Sequence, residues 1–291
     1  MPDTTEVTVT VPAKINLGLA VGPRRPDGFH DLRTVFAGVE LFDTVRIRPD
    51  DHTSLELTGP EAGGLVAGPS NLAWQAADRL GRNLAITVDK QIPVAAGLAG
   101  GSADAAGVLL AVAALDRRPV GELAEVAAEL GSDVNFALTG GLALGSGRGE
   151  QLRPLAGPHR DWVLVFGSDG LATPAVYAEL DRQRRQAAAP RLEAGLLAAV
   201  AAGPPEALGR WLHNDLEPAA LALAPELLAT LAAGRAAGAL AGQISGSGPT
   251  CMFLARDQAH AELLARALAG TGRRAVAVRS GAGPEVRACR R

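Results

Sequence analysis

The sequence predicts an α+β fold made of two domains, and three observations support this prediction. The chain has 291 residues, more than the roughly 100–200 residues of a typical single domain. Segments with strand-like alternation and segments with helical periodicity follow one another in comparable proportion. The pattern breaks at the prolines and glycine of residues 154–158, so we predict two domains, residues 1–155 and 156–291.

The first elements of the chain are predicted to be strands. Residues 6–21 alternate between apolar and polar in two runs interrupted at Pro12, which predicts two strands that meet at a bend. A helix is predicted over residues 70–81, because Ser70 can cap its start and Gly81 can end it. The other strands predicted in this region lie at residues 34–40, 44–48, 54–57 and 84–88.

A glycine-rich segment follows these strands. Residues 92–102 are predicted to form a loop that leads into an apolar helix at residues 103–115, with Ser102 as its N-cap. A second helix over residues 120–130 leads to a glycine-rich strand pair near residues 140–149.

The second half alternates between strands and Ala/Leu-rich segments whose leucine spacing is amphipathic, which indicates packed helices. Several helices are predicted up to about residue 234. The later elements are predicted to be strands at residues 162–166, 242–245, 251–254 and 275–279, and a helix at residues 258–269.

The composition argues against several classes of protein. The apolar fraction is 47%, the charged fraction is 20% and the net charge is −3, so a general nucleic-acid-binding surface is not expected. Cys251 and Cys289 have no spacing that indicates a disulfide framework or a zinc site. The polar start lacks the features of a signal peptide, and polar residues interrupt the weakly polar stretch 236–254. We therefore expect a cytoplasmic protein that does not act at a membrane.

The glycine loop is the first candidate for a functional site. Gly97, Gly100 and Gly101 allow a ligand to approach the backbone closely, and Ser102 opens a helix whose free N–H groups favour an anion. This combination predicts phosphate binding. Neither the Walker A pattern nor GxGxxG is present, so a loop that only turns a strand into a helix is the alternative.

Two charged residues are candidates for catalysis. Asp133 lies in a sharp turn after a predicted helix, where a carboxylate can accept a proton from a hydroxyl; a turn or capping role is the alternative. Lys14 lies in an otherwise apolar strand, where a cation needs a carboxylate or phosphate partner, unless it points to solvent. Only Lys14 and Lys90 are lysines among the 28 basic residues, which favours a specific role for each.

A third candidate site could bind a flat ring. Phe29 and His30 lie at the tip of the turn Arg25-Pro-Asp-Gly-Phe-His, where they could stack on such a ring and contact its edge. Tyr177, the only tyrosine, could cover the other face. The alternative is an ordinary hairpin with Phe29 folded inward. Ser245-Gly-Ser-Gly-Pro249 could be a tight hairpin or a wall of the cleft, and no chemical role is assigned to His213-Asn-Asp-Leu-Glu217.

Three of these segments together resemble the ordered motifs of the GHMP small-molecule kinases. They are Pro-Ala-Lys-Ile-Asn from Pro12, the glycine loop from Pro93, and Ser-Gly-Ser-Gly-Pro from Ser245. The resemblance spans nearly the whole chain. It implies a two-domain α+β fold in which a ribosomal-protein-like N-terminal half and a ferredoxin-like α/β sandwich enclose the active site in the cleft between them.

The turn at residues 25–30, Gly131-Ser-Asp-Val and Asn214-Asp-Leu-Glu217 narrow the resemblance to one branch of these kinases. This implies transfer of the ATP γ-phosphoryl group to the C2 hydroxyl of a cytidine diphosphate-linked methylerythritol, in the non-mevalonate isoprenoid pathway. By position in the motifs, Asp133 would be the general base, and Lys14 would lower the cost of the developing alkoxide.

The resemblance also implies the binding residues. Mg²⁺ would bridge the phosphates, with Ser102 as a candidate ligand and the other metal ligands unknown. The substrate would contact Asn16, Phe29, His30, Thr173 and Tyr177. The loop residues expected to bind ATP are Pro93, Val94, Ala95, Ala96, Gly97, Leu98, Ala99, Gly100, Gly101, Ser102 and Ala103.

The chain departs from the family pattern at several positions. Phe29 stands where tyrosine is often found, and Tyr177 stands where phenylalanine is familiar. In the loop, Ala99 replaces a common glycine, and Ala103 and Asp104 replace a common Ser-Asn pair. We expect Asp104 to face outward or to approach the metal.

Two other functions remain open at this point. The first is a related kinase that acts on a mevalonate-like or amino-alcohol substrate, which would not need a ring-binding Phe29. The second is a non-catalytic nucleotide-binding or RNA-binding relative, which the presence of Lys14, Asp133 and the glycine loop disfavours. The expected partner is a small-molecule substrate, and the expected assembly is a monomer or weak homodimer.

Overall fold

The structure is a computed structural model that describes residues 5–184 and 187–290. The first half of the described chain contains six strands, four helices and a 3₁₀ turn. In chain order these are β1 (Thr5–Arg24), β2 (His30–Pro49), β3 (Ser54–Thr58), α1 (Leu72–Arg79), β4 (Leu84–Asp89), α2 (Gly100–Asp116), the 3₁₀ turn Val120–Leu123, α3 (Ala124–Leu130), α4 (Val134–Thr139), β5 (Leu142–Ser146) and β6 (Gln151–Pro154).

Helices and short strands alternate in the second half. In chain order these are β7 (Asp161–Val165), α5 (Thr173–Gln183), α6 (Ala194–Ala202), α7 (Pro205–Gly209), β8 (His213–Asn214), α8 (Glu217–Leu223), α9 (Leu227–Ala236), β9 (Ala241–Ile244), β10 (Cys251–Leu254), α10 (Gln258–Ala269), β11 (Ala275–Arg279) and β12 (Glu285–Arg290).

The strands form two sheets, as expected for an α+β fold. The first has the order β12-β1-β2-β4-β3, with β5 paired to the first half of β2 and β6 paired to β5. The second has the order β11-β7-β10-β9, with every neighbouring pair antiparallel. The apolar helix α2 packs against the first sheet and is buried from Ala103 to Ala113. It forms the centre of the larger core.

Two predicted chain breaks are wrong, because each lies inside one long strand. The bend expected at Pro12 is a shift of register between Pro12 and Ala13 within β1. Opposite it, Pro12 pairs with Phe42 whereas Ala13 pairs with Val39, so Glu40 and Leu41 are extra residues of β2. The strand β2 continues through the gap between the predicted strands 34–40 and 44–48. A bulge bends a strand and accommodates the missing N–H of proline without ending the sheet.

The start of the long helix was also wrongly predicted. The helix α2 begins at Gly100, and its N-cap residue is Ala99, which makes no side-chain capping hydrogen bond. Ser102 therefore lies in the first turn of the helix and does not cap it. At α1 the capping side chain belongs to Asn71, which accepts the N–H of Ala73, and not to Ser70.

Other elements match the sequence patterns closely. The structure confirms the helix at residues 258–269 and the strand at residues 275–279. The helix α10 begins directly after Asp257, whose side chain accepts the N–H of His260. The patterns did not indicate α4, β8 or β12. These elements are short or polar, so they show no clear periodicity.

The last strand returns to the first sheet. Residues of β12 pair antiparallel with β1 from Thr5–Arg290 to Thr10–Glu285, whereas the elements before it belong to the second half. The division at residue 155 remains a proposal, and the two sheets follow it except at this strand and at β8, which pairs parallel with β1 in the first sheet. Within residues 5–184 and 187–290 no single helix is long and apolar enough to cross a membrane, although the bent pair α8 and α9 passes on length and composition alone.

Candidate active site

A cavity of about 680 Å³ takes its walls from both halves of the chain. The strand β1 contributes Lys14, and the glycine loop contributes Gly97. Asp133 comes from the turn before α4, Tyr177 from α5, and Ser247 from the loop after β9. A cleft between two halves is a common place for a small-molecule site.

Nearly all of the predicted site residues meet in this cavity. Those that line it are Lys14, Asn16, Phe29, His30, Pro93, Val94, Ala95, Ala96, Gly97, Ala99, Gly100, Gly101, Ser102, Asp133, Thr173 and Tyr177. Leu98 and Ala103 lie in the same loop segment, but their side chains are buried in the core. The carbonyl of Leu98 accepts the backbone N–H of Lys14 at 3.1 Å, which ties the loop to β1.

Gly97 is the point where the glycine loop contacts the second half. Its φ is +74°, and a Cβ there would lie 2.2 Å from the carbonyl oxygen of Ser245. The Ser245 hydroxyl donates to the carbonyl of Gly97 at 3.2 Å. No residue with a side chain fits this contact without displacing backbone.

The N-terminus of α2 faces the cavity without a side-chain cap. Gly100, Gly101 and Ser102 form its first turn and line the cavity. The first N–H groups of a helix have no partner within the helix, and the helix dipole places partial positive charge there. This end of a 17-residue helix therefore suits a phosphate group.

The loop also holds two alanines in an unusual backbone conformation. Ala95 has φ 51° and Ala99 has φ 60°, in the left-handed region that favours glycine. Ala99 is the position where the sequence has alanine in place of the familiar glycine. Each alanine costs roughly 1–2 kcal/mol relative to ordinary backbone, so the loop is strained where it approaches the ligand cavity.

Lys14 and Asp133 form the charged pair of the site. The Nζ of Lys14 lies 3.8 Å from the Oδ2 of Asp133. The Lys14 side chain is 9% exposed and the Asp133 side chain 31% exposed, so the carboxylate is the partner that a ligand can reach. A cation beside a carboxylate that faces a cavity can stabilise negative charge that develops on a bound hydroxyl.

A network of buried hydrogen bonds holds Lys14 in place. Its Nζ donates to the Oδ1 of Asn16 at 2.9 Å and to the carbonyl of Gly97 at 3.1 Å. The amide of Asn16 donates to the Thr34 hydroxyl at 2.8 Å. From the second half, the Gln243 side chain donates to the carbonyl of Asn16 at 2.9 Å. The position of the ammonium group thus depends on β1, the glycine loop and the second half together.

The far end of the cavity holds the aromatic cluster. Phe29 is 48% exposed, so it does not fold inward as an ordinary hairpin residue would. The His30 and Tyr177 rings stack with centroids 5.0 Å apart. The Nε2 of His30 lies 2.8 Å from the Oδ1 of Asp181, a contact that fixes the orientation of the imidazole. Burial, followed by the charge of Asp133, raises the pKa of Tyr177 and keeps its hydroxyl neutral.

The prediction that Asp104 faces outward is wrong. Its side chain is buried beneath the glycine loop, where its Oδ2 accepts a hydrogen bond from Lys90 at 2.7 Å. Lys90 also contacts the Oδ2 of Asp43, and the Oδ1 of Asp43 accepts the backbone N–H groups of Gln91 and Ile92 at 2.6 and 2.9 Å. An aspartate one turn into an apolar core helix requires such a cationic partner. Lys90, the second of the two lysines, supplies it.

The charged groups of this buried cluster change one another's pKa. Burial raises the pKa of Asp104, and its Oδ1 has no hydrogen-bond partner among the described residues. Burial alone would lower the pKa of Lys90, but the charges of Asp104 and Asp43 raise it. For Asp104 the effect of burial thus outweighs the charge of Lys90, which acts to lower its pKa.

The Ser245–Pro249 loop and the segment from His213 to Glu217 connect parts of the site. The loop Ser245–Pro249 is both a tight turn between β9 and β10 and a wall of the cavity, where the hydroxyls of Ser247 and Thr173 lie 2.9 Å apart. The side chain of Asn214 donates to the carbonyls of Ile244 and Gly246 at 2.8 Å. The segment that had no assigned role thus holds the Ser245 loop in position.

Three cavity residues had no clear signal in the sequence. Asp181 lies eight residues into a helix, Arg24 ends β1, and Arg148 lies in the turn between β5 and β6. None belongs to a motif with a recognisable spacing, and arginine is common throughout this chain. Only the packing of separate elements brings them to the cavity.

The residues present suit a magnesium ion that is held mainly by the phosphates of a nucleotide. Within residues 5–184 and 187–290 no cluster of three or more histidine, cysteine or acidic side chains could hold a metal. The carboxylates of Asp104, Asp133 and Asp181 all have cationic or imidazole partners. The hydroxyl of Ser102, at the start of α2, provides an oxygen ligand beside the position proposed for the phosphates. Mg²⁺ commonly binds in this way, through substrate phosphates and few protein ligands.

Family comparisons match both halves of the chain. The model described as "GHMP kinases N terminal domain" matches residues 71–143. The model described as "GHMP kinases C terminal" matches residues 196–274. The two matches lie on either side of the predicted boundary at residue 155.

Several relatives are about half identical to this chain along most of its length. A 4-diphosphocytidyl-2-C-methyl-D-erythritol kinase of Nocardia farcinica is 49% identical over 289 residues, covering 96% of this chain and 94% of the relative. The enzyme of the same name from Mycobacterium tuberculosis is 51% identical over 280 residues, covering 92% and 88%.

Solved structures agree with these relatives. A crystal structure of 4-(cytidine 5'-diphospho)-2C-methyl-D-erythritol kinase superposes with a TM-score of 0.77 at 37% identity, covering 95% of this chain and 100% of that one. A homoserine kinase from Cytophaga hutchinsonii superposes with a TM-score of 0.73 at 20% identity, covering 97% of each chain. The second likeness concerns the fold alone.

Proposed function

The chain belongs to the GHMP kinases and, within them, to the family of 4-diphosphocytidyl-2-C-methyl-D-erythritol kinases, and from this we propose how its cavity performs the reaction. The protein is a small-molecule kinase with ATP as phosphate donor. The acceptor is the C2 hydroxyl of 4-diphosphocytidyl-2-C-methyl-D-erythritol, and the products are the 2-phosphate and ADP. This is a step of non-mevalonate isoprenoid synthesis.

One observation carries the proposal. The Lys14–Asp133 pair and the uncapped N-terminus of α2 line the same cavity, and an exposed aromatic side chain lines it as well. A hydroxyl between the pair and the helix start would lie in line with a phosphoryl group held by the loop. The aromatic residues supply a place for the cytosine ring.

In the proposed mechanism the glycine loop holds the triphosphate of ATP. The N–H groups at the start of α2 bind phosphate oxygens, and the backbone of Gly97 keeps the loop against the second half. The Ser102 hydroxyl, together with the phosphates, would hold a Mg²⁺ ion, which would supply positive charge next to the triphosphate. The loop residues from Pro93 to Ala103 thus act mainly through their backbone.

Asp133 accepts the proton of the acceptor hydroxyl as that oxygen attacks the γ-phosphorus. The bond from the γ-phosphorus to the bridging oxygen of ADP breaks, and ADP leaves with the electron pair. Lys14, fixed by Asn16 and Gly97, stabilises the negative charge on the attacking oxygen. Asn16 and Thr173 contact the erythritol and phosphate parts of the substrate.

Phe29, His30 and Tyr177 bind the cytidine end. Phe29 stacks on one face of the base, His30 contacts its edge, and Tyr177, whose ring stacks on that of His30, covers the other face of the base. We further propose that the protein acts on this free small molecule in the cytoplasm as a monomer or weak homodimer.

The test is ADP release by the purified protein with Mg-ATP and 4-diphosphocytidyl-2-C-methyl-D-erythritol, with mevalonate and homoserine as alternative acceptors and the product mass measured. We expect one added phosphate on the cytidine substrate only. Turnover of mevalonate or homoserine would instead favour the related kinase, and ATP binding without turnover of any acceptor would favour a non-catalytic protein. Phe29→Ala should raise the KM of the cytidine substrate strongly, whereas the KM of a substrate without a base would not change.

A further inference from the structure

Arg148 lies at the cytidine end of the cavity, although no motif points to it. It occupies the turn between β5 and β6 and lines the same cavity as Phe29, Lys14 and Asp133. Its Cζ lies over the Phe29 ring, 4.7 Å from the ring centroid. At this distance the guanidinium is attracted to the face of the ring, so Arg148 covers one face of Phe29 while the ring stays 48% exposed.

The turn holds Arg148 in place through its backbone. Gly147 and Gly149 on either side have φ of 70° and 108°, and the N–H of Arg148 donates to the Oε2 of Glu150 at 2.6 Å. A Cβ at Gly147 would lie 2.6 Å from the Oε1 of Glu150. The glutamate and the two glycines therefore fix the direction from which the side chain enters the cavity.

The guanidinium of Arg148 retains free binding capacity. It makes one hydrogen bond, from an Nη to the carbonyl of Ala128 at 3.3 Å. Among the described residues it has no salt-bridge partner, and the same holds for Arg24, the other arginine that lines the cavity, whereas Lys14 and Lys90 face carboxylates. A guanidinium has five N–H donors in a planar fork that matches two oxygens of a phosphate.

We propose that Arg148 binds the diphosphate of the cytidine-linked substrate while it supports the stacking face of Phe29. The inference rests on the proposed function, since it needs a substrate in which a diphosphate joins the base to the polyol. The diphosphate then lies between the aromatic cluster and the Lys14–Asp133 pair, within the reach of a guanidinium that is fixed over Phe29. The proposal makes Arg148 a substrate-binding residue that selects a nucleoside diphosphate over an uncharged nucleoside.

The experiment compares inhibitors that differ only in phosphate number. Cytidine, cytidine monophosphate and cytidine diphosphate are titrated against the cytidine substrate at saturating Mg-ATP, for the wild type and for Arg148→Met and Arg148→Lys. We expect Arg148→Met to weaken inhibition by the diphosphate and to raise the substrate KM by about 10- to 100-fold. Inhibition by cytidine should weaken much less than inhibition by the diphosphate, because only the support of Phe29 is lost, and the KM of ATP should stay within about 2-fold of the wild type. Arg148→Lys should recover part of the loss, because it keeps the charge without the fork.

Two control variants separate a specific contact from a general effect of charge. Arg153→Met removes an exposed arginine from β6 of the same hairpin, outside the cavity, and should change nothing. Arg24→Met removes another arginine that lines the cavity, whose Nε donates to the carbonyl of Gly28. If Arg24→Met weakened inhibition by the diphosphate as much as Arg148→Met does, the general positive charge of the cavity would explain the effect. The assignment to Arg148 would then be overturned.

The remaining outcomes are also decisive. Equal losses for cytidine and for the diphosphate in Arg148→Met would mean that Arg148 acts only through Phe29, and no loss for either would remove it from the site. Both results overturn the inference while the wild-type activity leaves the proposed function intact. If the wild type neither phosphorylates the cytidine substrate nor is inhibited by cytidine diphosphate, the proposed function fails, and the inference fails with it.

Discussion

Lys14 and Asp133 differ in how firmly their surroundings hold them. Lys14 is nearly buried and donates to a side chain and to a loop carbonyl, whereas Asp133 is partly exposed at the start of a short helix. The cation is therefore preorganised, and the carboxylate can adjust to a bound hydroxyl. This division suits a reaction in which the protein must stabilise charge at one fixed point.

Replacement of Asp133 should affect the chemical step more than binding. In Asp133→Asn the side chain keeps its shape but can no longer accept the proton, so we expect kcat to fall by about 10²- to 10⁴-fold while the KM of ATP stays close to the wild-type value. Steady-state kinetics with the cytidine substrate measure both. The exposed Asp51→Asn, distant in sequence and outside the cavity lining, is the control. A kcat within about 10-fold of the wild type would reduce Asp133 to orienting the hydroxyl.

The strain at Ala99 should be measurable as stability. Because its φ is 60°, Ala99→Gly relieves the left-handed conformation, and we expect the free energy of unfolding to rise by about 0.5–1 kcal/mol. Ala96→Gly in the same loop is the matched control, since Ala96 is buried and does not have positive φ. That change should lower stability by about 1 kcal/mol. Urea unfolding of the two variants gives the answer, and the same sign for both would contradict the strain argument.

At the scale of elements, the Asp43–Lys90–Asp104 cluster joins three parts of the nucleotide site. Asp43 comes from β2, Lys90 from the end of β4, and Asp104 from the first turns of α2. The cluster fixes the helix start relative to the strand that leads into the glycine loop. The sequence singled out Lys90 by its rarity, but neither its partners nor its burial could be predicted, because they depend on contacts across 47 and 14 residues of chain.

Removal of the buried cation should be far more damaging than removal of one carboxylate. Lys90→Met leaves two buried acidic side chains without their cation, so we expect a loss of about 3–5 kcal/mol in the free energy of unfolding. Asp104→Asn should be milder, because burial already raises the pKa of Asp104 and one of its oxygens has no partner. Denaturant unfolding of both variants tests this order. If Asp104→Asn lowered the free energy of unfolding more than Lys90→Met does, Lys90 would not be the central stabilising charge of the cluster.

A second link between elements involves His213 and Asp215. The Oδ2 of Asp215 accepts the backbone N–H of Val21 at 2.7 Å, and its Oδ1 contacts His213 and Arg184. The hydrogen bond to Asp215 raises the pKa of His213 above 6.5, against the effect of its partial burial. Protonated His213 therefore favours the folded state.

The sign of the resulting pH dependence follows from this raised pKa. The stabilising contribution of His213 is complete below pH 6.5, its value in the unfolded chain, and is lost as the pH rises through the higher folded-state pKa. In His213→Gln the contribution is absent at every pH. Melting temperatures of the two proteins should differ most at acidic pH and converge at alkaline pH. A difference that grows as the pH rises would show that the histidine acts in its neutral form.

On the scale of the whole molecule, the last strand that the structure describes lies in the same sheet as the first. The strand β12 pairs with β1 along the edge that would otherwise be open. The facing part of β1, from Thr5 to Thr10, contains Val7 and Val9, both buried. The last strand thus protects an apolar strand at the edge of the sheet, and the second half cannot be separated from the first at a single boundary.

Removal of β12 should therefore affect the first sheet. In a chain that ends at residue 283, β1 becomes an exposed edge with apolar side chains, which favours pairing with other molecules. We expect a lower melting temperature and oligomers or aggregates in size-exclusion chromatography. A chain that ends at residue 290 keeps the whole strand and serves as the control. If the shorter chain stayed monodisperse and melted like the control, β12 would have no protective role.

The sequence by itself determined the fold class, most helices and strands, and the identity of most residues that line the cavity. Alternating and helical periodicities report which face of an element is buried, and this property is local. The motifs around Lys14, Gly97 and Asp133 carry their chemistry in short runs of sequence, so these residues were recognisable before their neighbours were known.

The tertiary structure alone decided the features that depend on distant contacts. Bulges merged the strands predicted on either side of Pro12, and the polar strand β12 pairs with the edge of β1. Asp104 turned inward because Lys90 lies beneath α2, and Arg148 reached Phe29 from another hairpin. Register, burial of charge and convergence of side chains arise from packing between separate segments, and no local pattern contains that information.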